Sequence, residues 1–256
     1  MTSLLGVAGA SLIMGLSIYL SLPIVMRKKT SEKTTRFLNA IAIGILVFLI
    51  ADIFSYVAPN LYTGGLYGYG ANLTLGVIFA VSLAVGFFLL YHFEDRTPKG
   101  LSPIKMSFMI ATGIGLQNLA EGLVFGSLAV NLGLYSPSLG LSGVALVVLI
   151  GFIIQNITEG FPIASPFINR GDKRWGVILA LFLLGGLPTF FGGIIGYTYN
   201  STAFEVMFDG LAIGAIVYVI LPMVKHQLRE IDNSKQRITY VGIFLGFLIG
   251  FLVNII

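Results

Sequence analysis

Cysteine is absent from this chain, which excludes disulfides and any thiolate metal site. Charge is scarce as well. Asp, Glu, Lys and Arg make up 10% of the 256 residues, where a soluble domain carries about a quarter. There are only two histidines, His92 and His226, so the His-Glu-x-x-His signature of a zinc protease is missing. Both lie at the ends of apolar blocks beside charged residues, where interfacial solvation accounts for them. What the chain has in excess is apolar: 56% of residues are hydrophobic and the mean hydropathy is +0.94. These residues fall into eight blocks of roughly 20, long enough to cross about 30 Å of hydrocarbon as helices. Backbone polar groups cannot stay unpaired in lipid, so the blocks must be helical. They run at about 3–26, 37–58, 71–93, 104–130, 139–168, 175–199, 203–224 and 237–256. The loops between them are too short to hold a soluble domain.

Positive charge is missing from every second loop. All fifteen basic residues sit in or beside the alternate ones: Arg27, Lys28, Lys29, Lys33 and Arg36; Arg96, Lys99 and Lys105; Arg170, Lys173 and Arg174; Lys225, Arg229, Lys235 and Arg237. The loops at 62–70, 131–138 and 200–202 carry none. Positive loops stay cytoplasmic, which predicts both termini outside and an even number of spans. The sequence pI of about 9.3 is thereby a topology signal, and no nucleic-acid partner is implied. No basic residue precedes the first apolar block, so it reads as span one rather than as a signal peptide.

Two internal repeats follow. Span four reads Gly113-Ile-Gly-Leu-Gln117-Asn118-Leu-Ala-Glu121-Gly122, and span five reads Gly151-Phe-Ile-Ile-Gln155-Asn156-Ile-Thr-Glu159-Gly160. Ser127 and Ser165 match at the same offset. A second pair links Ala42-Ile43-Gly44 with Val47 in span two to Ala212-Ile213-Gly214 with Val217 in span seven. The members of each pair run in opposite directions through the bilayer. The expected architecture is an all-α integral membrane protein of eight spans in a 3+2+3 inverted-repeat arrangement, forming one transporter domain over 1–256. Inverted repeats are a recurrent transporter design, because mirrored halves can open one midplane site to either side.

Glu121 and Glu159 lie past the middle of their spans, where a carboxylate is costly unless it is paired or facing water. Gln and Glu are four apart in each motif, and Asn and Glu three apart. Both spacings put the side chains on one helical face. Two such helices face to face offer two carboxylates and four amide oxygens around one point. Two carboxylates balance a divalent cation, and amide oxygens replace its lost water. The candidate metal ligands are therefore Gln117, Asn118, Glu121, Gln155, Asn156 and Glu159. An all-oxygen set favours hard ions such as Mn²⁺, Mg²⁺ or Ca²⁺, or Fe²⁺, over zinc, which usually takes nitrogen or sulfur. The bland alternative is that the amides and acids join two helices by hydrogen bonds.

The paired Gln-Asn-x-x-Glu-Gly motifs resemble the His-Asn-x-Pro-Glu-Gly motifs of the ZIP family of metal-ion transporters. The likeness extends over essentially the whole chain: eight spans, outer termini, a three-two-three plan and short outer loops. It implies import of zinc, iron or manganese as substrate, a site between helices four and five, movement of one bundle against another, a cell-membrane location, and no enzymatic activity or organic cofactor. A homodimer is among the assemblies it allows. Three departures stand out. Gln117 and Gln155 replace the family's histidines, Ala120 and Thr158 its motif prolines, and Leu187-Pro188 stands where many members have Glu-Pro. Pro162 and Pro166 remain to bend span five.

Other polar residues carry two readings each. Asp52, in the outer half of span two, guides ions or couples protons, or bonds a neighbouring helix. Asp209, near the outer start of span seven, attracts cations or is plainly solvated. For Glu205, Thr202-Ala-Phe-Glu205 reads as a capping box. Asn200-Ser201-Thr202 is a glycosylation sequon on the expected outer side. Tyr62, Tyr67 and Tyr69 fit an interfacial aromatic belt. Two further functions stay open: a non-transporting metal sensor or partner subunit, and an intramembrane hydrolase using the two acids as an acid/base pair.

Overall fold

The computed structural model describes residues 4–23, 31–63, 70–95, 102–131, 135–136, 140–141, 143–168, 174–199, 201–228 and 233–255. These residues form eight long helices. Helix α1 is Leu4–Leu16, continued by a 3-10 turn at Ser17–Ser21; α2 is Glu32–Leu61, α3 Leu73–Asp95 and α4 Pro103–Asn131. Helix α5 is Gly143–Ala164 with a 3-10 turn at Ser165–Phe167; α6 is Trp175–Thr198, α7 Thr202–Gln227 and α8 Asn233–Ile255. Two small antiparallel hairpins close neighbouring helices, Tyr62–Thr63 with Gly70–Ala71 and Tyr135–Ser136 with Gly140–Leu141. Among the described residues seven helices are long and apolar enough to cross a membrane. The chain is a multi-pass α-helical membrane protein. Nine residues named above fall outside the description: Arg27, Lys28, Lys29, Arg96, Lys99, Arg170, Lys173, Arg229 and Asn200. So do Tyr67, Tyr69 and the side chains of His226 and Lys235.

Polar caps mark where helices begin. Ser31 Oγ accepts from Thr34 N at 3.1 Å, Asn72 Oδ1 from Leu75 N at 3.2 Å, and Ser102 Oγ from Lys105 N at 3.2 Å. Each cap satisfies a donor that the first helical turn leaves free. Ser31 is why α2 starts before the apolar run does. In α5, Pro162 cannot donate to the ladder, and the chain tightens into the 3-10 turn that contains Pro166.

The helices sort into two bundles. In the first, α4 packs along α6, and α1 packs on α6 and, through its 3-10 turn, on α5. In the second, α3 packs along α7, α2 along α8, and α2 also meets α7. Lipid gives no hydrophobic drive for helices to associate, so close approach must come from small residues. Gly44 of α2 lies on the Ile243 carbonyl and Phe247 amide of α8, and Gly246 lies on the Ile41 carbonyl. Gly214 of α7 makes the matching contacts with Leu83 and Phe87 of α3, and Gly86 lies on the Leu211 carbonyl.

One offset in numbering separates Ile41 from Leu211 and Gly44 from Gly214. Another separates Leu83, Gly86 and Phe87 from Ile243, Gly246 and Phe247. The central helices follow suit. Gly122 of α4 abuts the Thr189 carbonyl and Gly192 of α6, and Gly160 of α5 abuts the Ile18 carbonyl and Ser21 of the first helical segment. Gly15 and Gly186 press on each other's carbonyls. The repeated sequence blocks thus carry repeated backbone contacts. At the junction between the bundles a Cβ on Gly113 of α4 would meet Ile216 Cγ1 at 3.2 Å and Ala215 Cβ and the Ile216 backbone nitrogen at 3.5 Å, a looser approach than at Gly44 or Gly214.

Candidate metal site

Helices α4 and α5 bring the six motif residues into the interior, and all six are at most 8% exposed. Asn118, Asn156 and Glu159 are fully buried. Gln117 Nε2 donates to Glu121 Oε1 at 2.6 Å along α4, the four-residue spacing doing what the helix repeat requires. Gln155 Nε2 of α5 donates to the same oxygen, joining the two helices at Glu121. The same nitrogen stands 3.5 Å from Asp52 Oδ2 of α2. The side chains of Gln155, Asn118 and Gln117 stand around the Glu159 carboxylate, yet neither of its oxygens receives a hydrogen bond of good geometry. Glu121 and Glu159 are near enough for their charges to act on one another.

The amides are held by their nitrogens. Asn118 Nδ2 donates to the Gly185 carbonyl of α6 at 2.9 Å, and Asn156 Nδ2 to the Phe152 carbonyl of its own helix at 3.0 Å. Gly185 stands three residues before Pro188, whose missing N–H breaks the α6 ladder at this level. With the nitrogens so engaged, oxygens are left over. Buried without a donor are Gln117 Oε1, Asn118 Oδ1, Asn156 Oδ1, Glu121 Oε2 and both oxygens of Glu159. That is six acceptors in two matched motifs. A buried acceptor without a partner costs about 1–3 kcal/mol, more when charged. Water would supply donors to such a set but no charge; a divalent cation supplies both what the oxygens lack and what the two carboxylates require.

Carboxylates alone do not make this site. Among the described residues no three His, Asp or Glu side chains cluster closely enough to hold a metal ion. A metal held here would take its remaining ligands from amide oxygens, backbone carbonyls or water. Leu187 of α6 offers no ligand, and Thr158 Oγ1 donates to the Gln155 carbonyl, fixing the turn before Glu159.

Two acids beyond the motifs are buried in the same interior, and a third, Glu205, is half-buried close by. Asp52 is 4% exposed and Asp209 9%, and the charges of both act on Glu121. Glu205, one turn before Asp209 on α7, overturns an expectation. The residue that precedes the helix is Ser201, which makes no side-chain cap, and Thr202 is already helical. The capping box is not formed, because Phe204 and Glu205 direct their amides to the Ser201 carbonyl instead. The Glu205 carboxylate lies near Ser127 of α4, whose hydroxyl donates to the Val124 carbonyl of its own helix at 3.0 Å, and its charge acts on Asp209. The signal that reveals it in the sequence is spacing: Glu205 and Asp209 are four apart, on one face of α7.

No protein-family model matches the chain, and no curated protein matches it either. The likeness to the ZIP family accordingly rests on the two motifs and the plan of the spans.

Proposed function

We propose that this protein is a ZIP-like secondary transporter that carries a divalent metal cation across the cell membrane, into the cytoplasm, with both termini outside. Its substrate binds between α4 and α5. Glu121 and Glu159 neutralise the ion, while Gln117, Asn118, Gln155 and Asn156 complete its shell through their oxygens. The observation that carries this reading is the set of six buried, donor-free oxygens on two matched helical motifs. Oxygen ligands and the absence of imidazole at Gln117 and Gln155 favour manganese or iron over zinc.

The packing supports alternating access. Within each bundle glycines hold helices backbone to backbone, as at Gly44, Gly86, Gly122 and Gly214, so each bundle moves as a body. Between bundles the approach of α4 to α7 at Gly113 is looser, with Ile216 and Ala215 side-chain carbons and the Ile216 amide facing it, which supports displacement at this junction. The candidate ligands ride on the bundle containing α4 and α5, and Asp52 and Asp209 stand on the other. Displacement of one against the other would carry the site past the midplane, the usual work of inverted repeats.

Uptake of Mn²⁺, Fe²⁺ and Zn²⁺ into liposomes holding the purified protein tests the proposal, with Glu121→Gln/Glu159→Gln as the blank. Expected are flux in the native protein, loss in the double variant, and a preference for Mn²⁺ or Fe²⁺. Flux that survives in the folded double variant would refute the site; folded native protein without flux would refute transport.

A further inference from the structure

Close packing of α4 on α6 stops short of the basic end of the pair. Gly126, Gly122 and Gly115 of α4 lie in turn on the Gly193, Thr189 and Leu184 carbonyls of α6. Nearer the start of α6 the helices part, and a Cβ on Gly176 would meet nothing within 4 Å. A cavity of about 900 Å³ opens there, within the range of about 300–1,000 Å³ usual for ligand pockets. Ile104 and Phe108 of α4 and Val177, Leu181 and Leu184 of α6 give it apolar walls. From Gly176 to Leu184 the helix rises about 12 Å, most of the roughly 15 Å of hydrocarbon in one leaflet. Its polar groups are His92 in the last turn of α3 and Ser102 and Lys105 at the start of α4. No acid is among the described residues that line it. The flanking segments 94–102 and 170–174 carry Arg96, Lys99, Arg170, Lys173 and Arg174 against Glu94, Asp95 and Asp172, a positive balance before Lys105 is added.

We propose that this cavity holds one anionic phospholipid from the leaflet on the basic side, with an acyl chain between α4 and α6 and the phosphate at Lys105 and His92. The walls decide the chain. Water finds too few polar partners against them, and a void would forfeit the contacts of every wall atom. An acyl chain supplies those contacts, and the bilayer brings it to the cavity. The mouth decides the headgroup. The Lys105 ammonium and the His92 N–H are donors suited to phosphate oxygens. A basic side chain at the membrane surface favours an anionic lipid by roughly fivefold. The occupant would touch both bundles, because His92 belongs to α3 while the walls belong to α4 and α6. On the transport reading, and resting on it, the lipid ties the moving bundle to the other and its occupancy sets the uptake rate.

The chain carries its own probe, since Trp175 is its only tryptophan and adjoins Gly176 of the cavity wall. The test places the full chain in vesicles of phosphatidylcholine with a minor fraction of phosphatidylglycerol. Bromine, which quenches tryptophan, is carried on the chains of the phosphatidylglycerol or of an equal amount of phosphatidylcholine. In the native protein the apparent affinity should favour phosphatidylglycerol by roughly fivefold or more, and Lys105→Gln should lower that ratio by about fivefold. Gly176→Leu/Ala180→Phe fills the cavity from a wall position with open space, and should bring the ratio to one while the protein stays monodisperse on size exclusion. Equal quenching by the two lipids in the native protein would mean unselective filling by bilayer chains and would overturn the site. A preference that survives filling belongs to the surface and overturns it as well. These ratios are read whether or not the protein transports, which separates the lipid site from the transport reading. Where Mn²⁺ flux is present, phosphatidylglycerol should change the native rate and leave the filled variant's rate unchanged. A native rate indifferent to the lipid would overturn the tie between the bundles.

Discussion

Replacing Glu159 by Gln separates a cation site from a structural hydrogen-bond network, because the two make opposite demands on stability. The Glu159 carboxylate is fully buried, and neither oxygen receives a hydrogen bond of good geometry. Without a cation it is a cost, since leaving a buried acceptor unsatisfied takes about 1–3 kcal/mol and more for a charge. In chelator, Glu159→Gln should therefore be as stable as the native protein or up to about 3 kcal/mol more stable. Saturating metal reverses the order. A ligand at a hundredfold excess over its Kd adds about 2.7 kcal/mol to a protein that binds it only when folded. For a chain of this size each kcal/mol moves the midpoint by about 2–4 °C, so Mn²⁺ should raise the native midpoint by roughly 5–10 °C. The variant should not respond. The assay is thermal unfolding in detergent, followed by intrinsic fluorescence or by size-exclusion recovery, with and without Mn²⁺. If Glu159→Gln is destabilised in chelator and Mn²⁺ moves neither protein, the carboxylate is helix glue and the cation argument fails.

The repeat makes a paired prediction at Gly44 and Gly214: an alanine Cβ at either meets a facing backbone, so Gly44→Ala and Gly214→Ala should each lose about 1–3 kcal/mol by denaturant titration. Gly76 and Gly151 face nothing within 4 Å, and alanine there should gain about 0.5–1 kcal/mol instead. Gln117→His/Gln155→His should shift uptake preference toward Zn²⁺ in a competition assay, since imidazole nitrogen suits zinc better than amide oxygen. Because the chain has no cysteine, single replacements give a clean topology test: Thr202→Cys should react with an impermeant maleimide on intact cells and Ser31→Cys only after lysis. The reverse pattern would invert the proposed direction of transport. Arg36→Ala should lower stability by about 1–3 kcal/mol, since it removes the bond from Arg36 Nη1 to the Gln227 carbonyl at 2.6 Å, while the bond from Gln227 Nε2 to the Arg36 backbone carbonyl can persist.

What the sequence makes legible is set by how local the governing physics is. Eight helices can be read directly, because in lipid an apolar run has one way to satisfy its backbone. The Gln-Asn-x-x-Glu spacing puts its members on one face of a single helix, so their mutual proximity within α4 and within α5 follows from the helix repeat alone. Which helices touch is less local. The match of Gly44 with Gly214 suggested equivalence, but nothing in either block names Ile243 or Leu83 as the backbone it rests on. Glu205 shows the limit most clearly. Its spacing from Thr202 satisfies a capping rule, and the rule loses because Ser201 holds the position before the helix and its carbonyl takes the Glu205 amide, while the carboxylate lies near Ser127 on another helix. A local motif and a tertiary contact competed for one side chain, and only the folded chain decides such a contest.

The location of the acids argues for movement rather than for static binding. Here Glu121 and Glu159 belong to the bundle of α1, α4, α5 and α6, while Asp52 and Asp209 belong to the bundle of α2, α3, α7 and α8. A displacement at the junction between the bundles would part Glu121 and Glu159 from Asp52 and Asp209. The cross-bundle contact from Gln155 Nε2 to Asp52 Oδ2, at 3.5 Å, is long for a hydrogen bond. A hydrolase fits this division no better. It would need its acid and base fixed on opposite sides of a scissile bond, whereas Glu121 and Glu159 sit side by side among amides, with Thr158 Oγ1 committed to the Gln155 carbonyl. In the proposed carrier the six ligands ride on one bundle and Asp52 and Asp209 stay on the other, so displacement of one bundle against the other would part the site from those two acids.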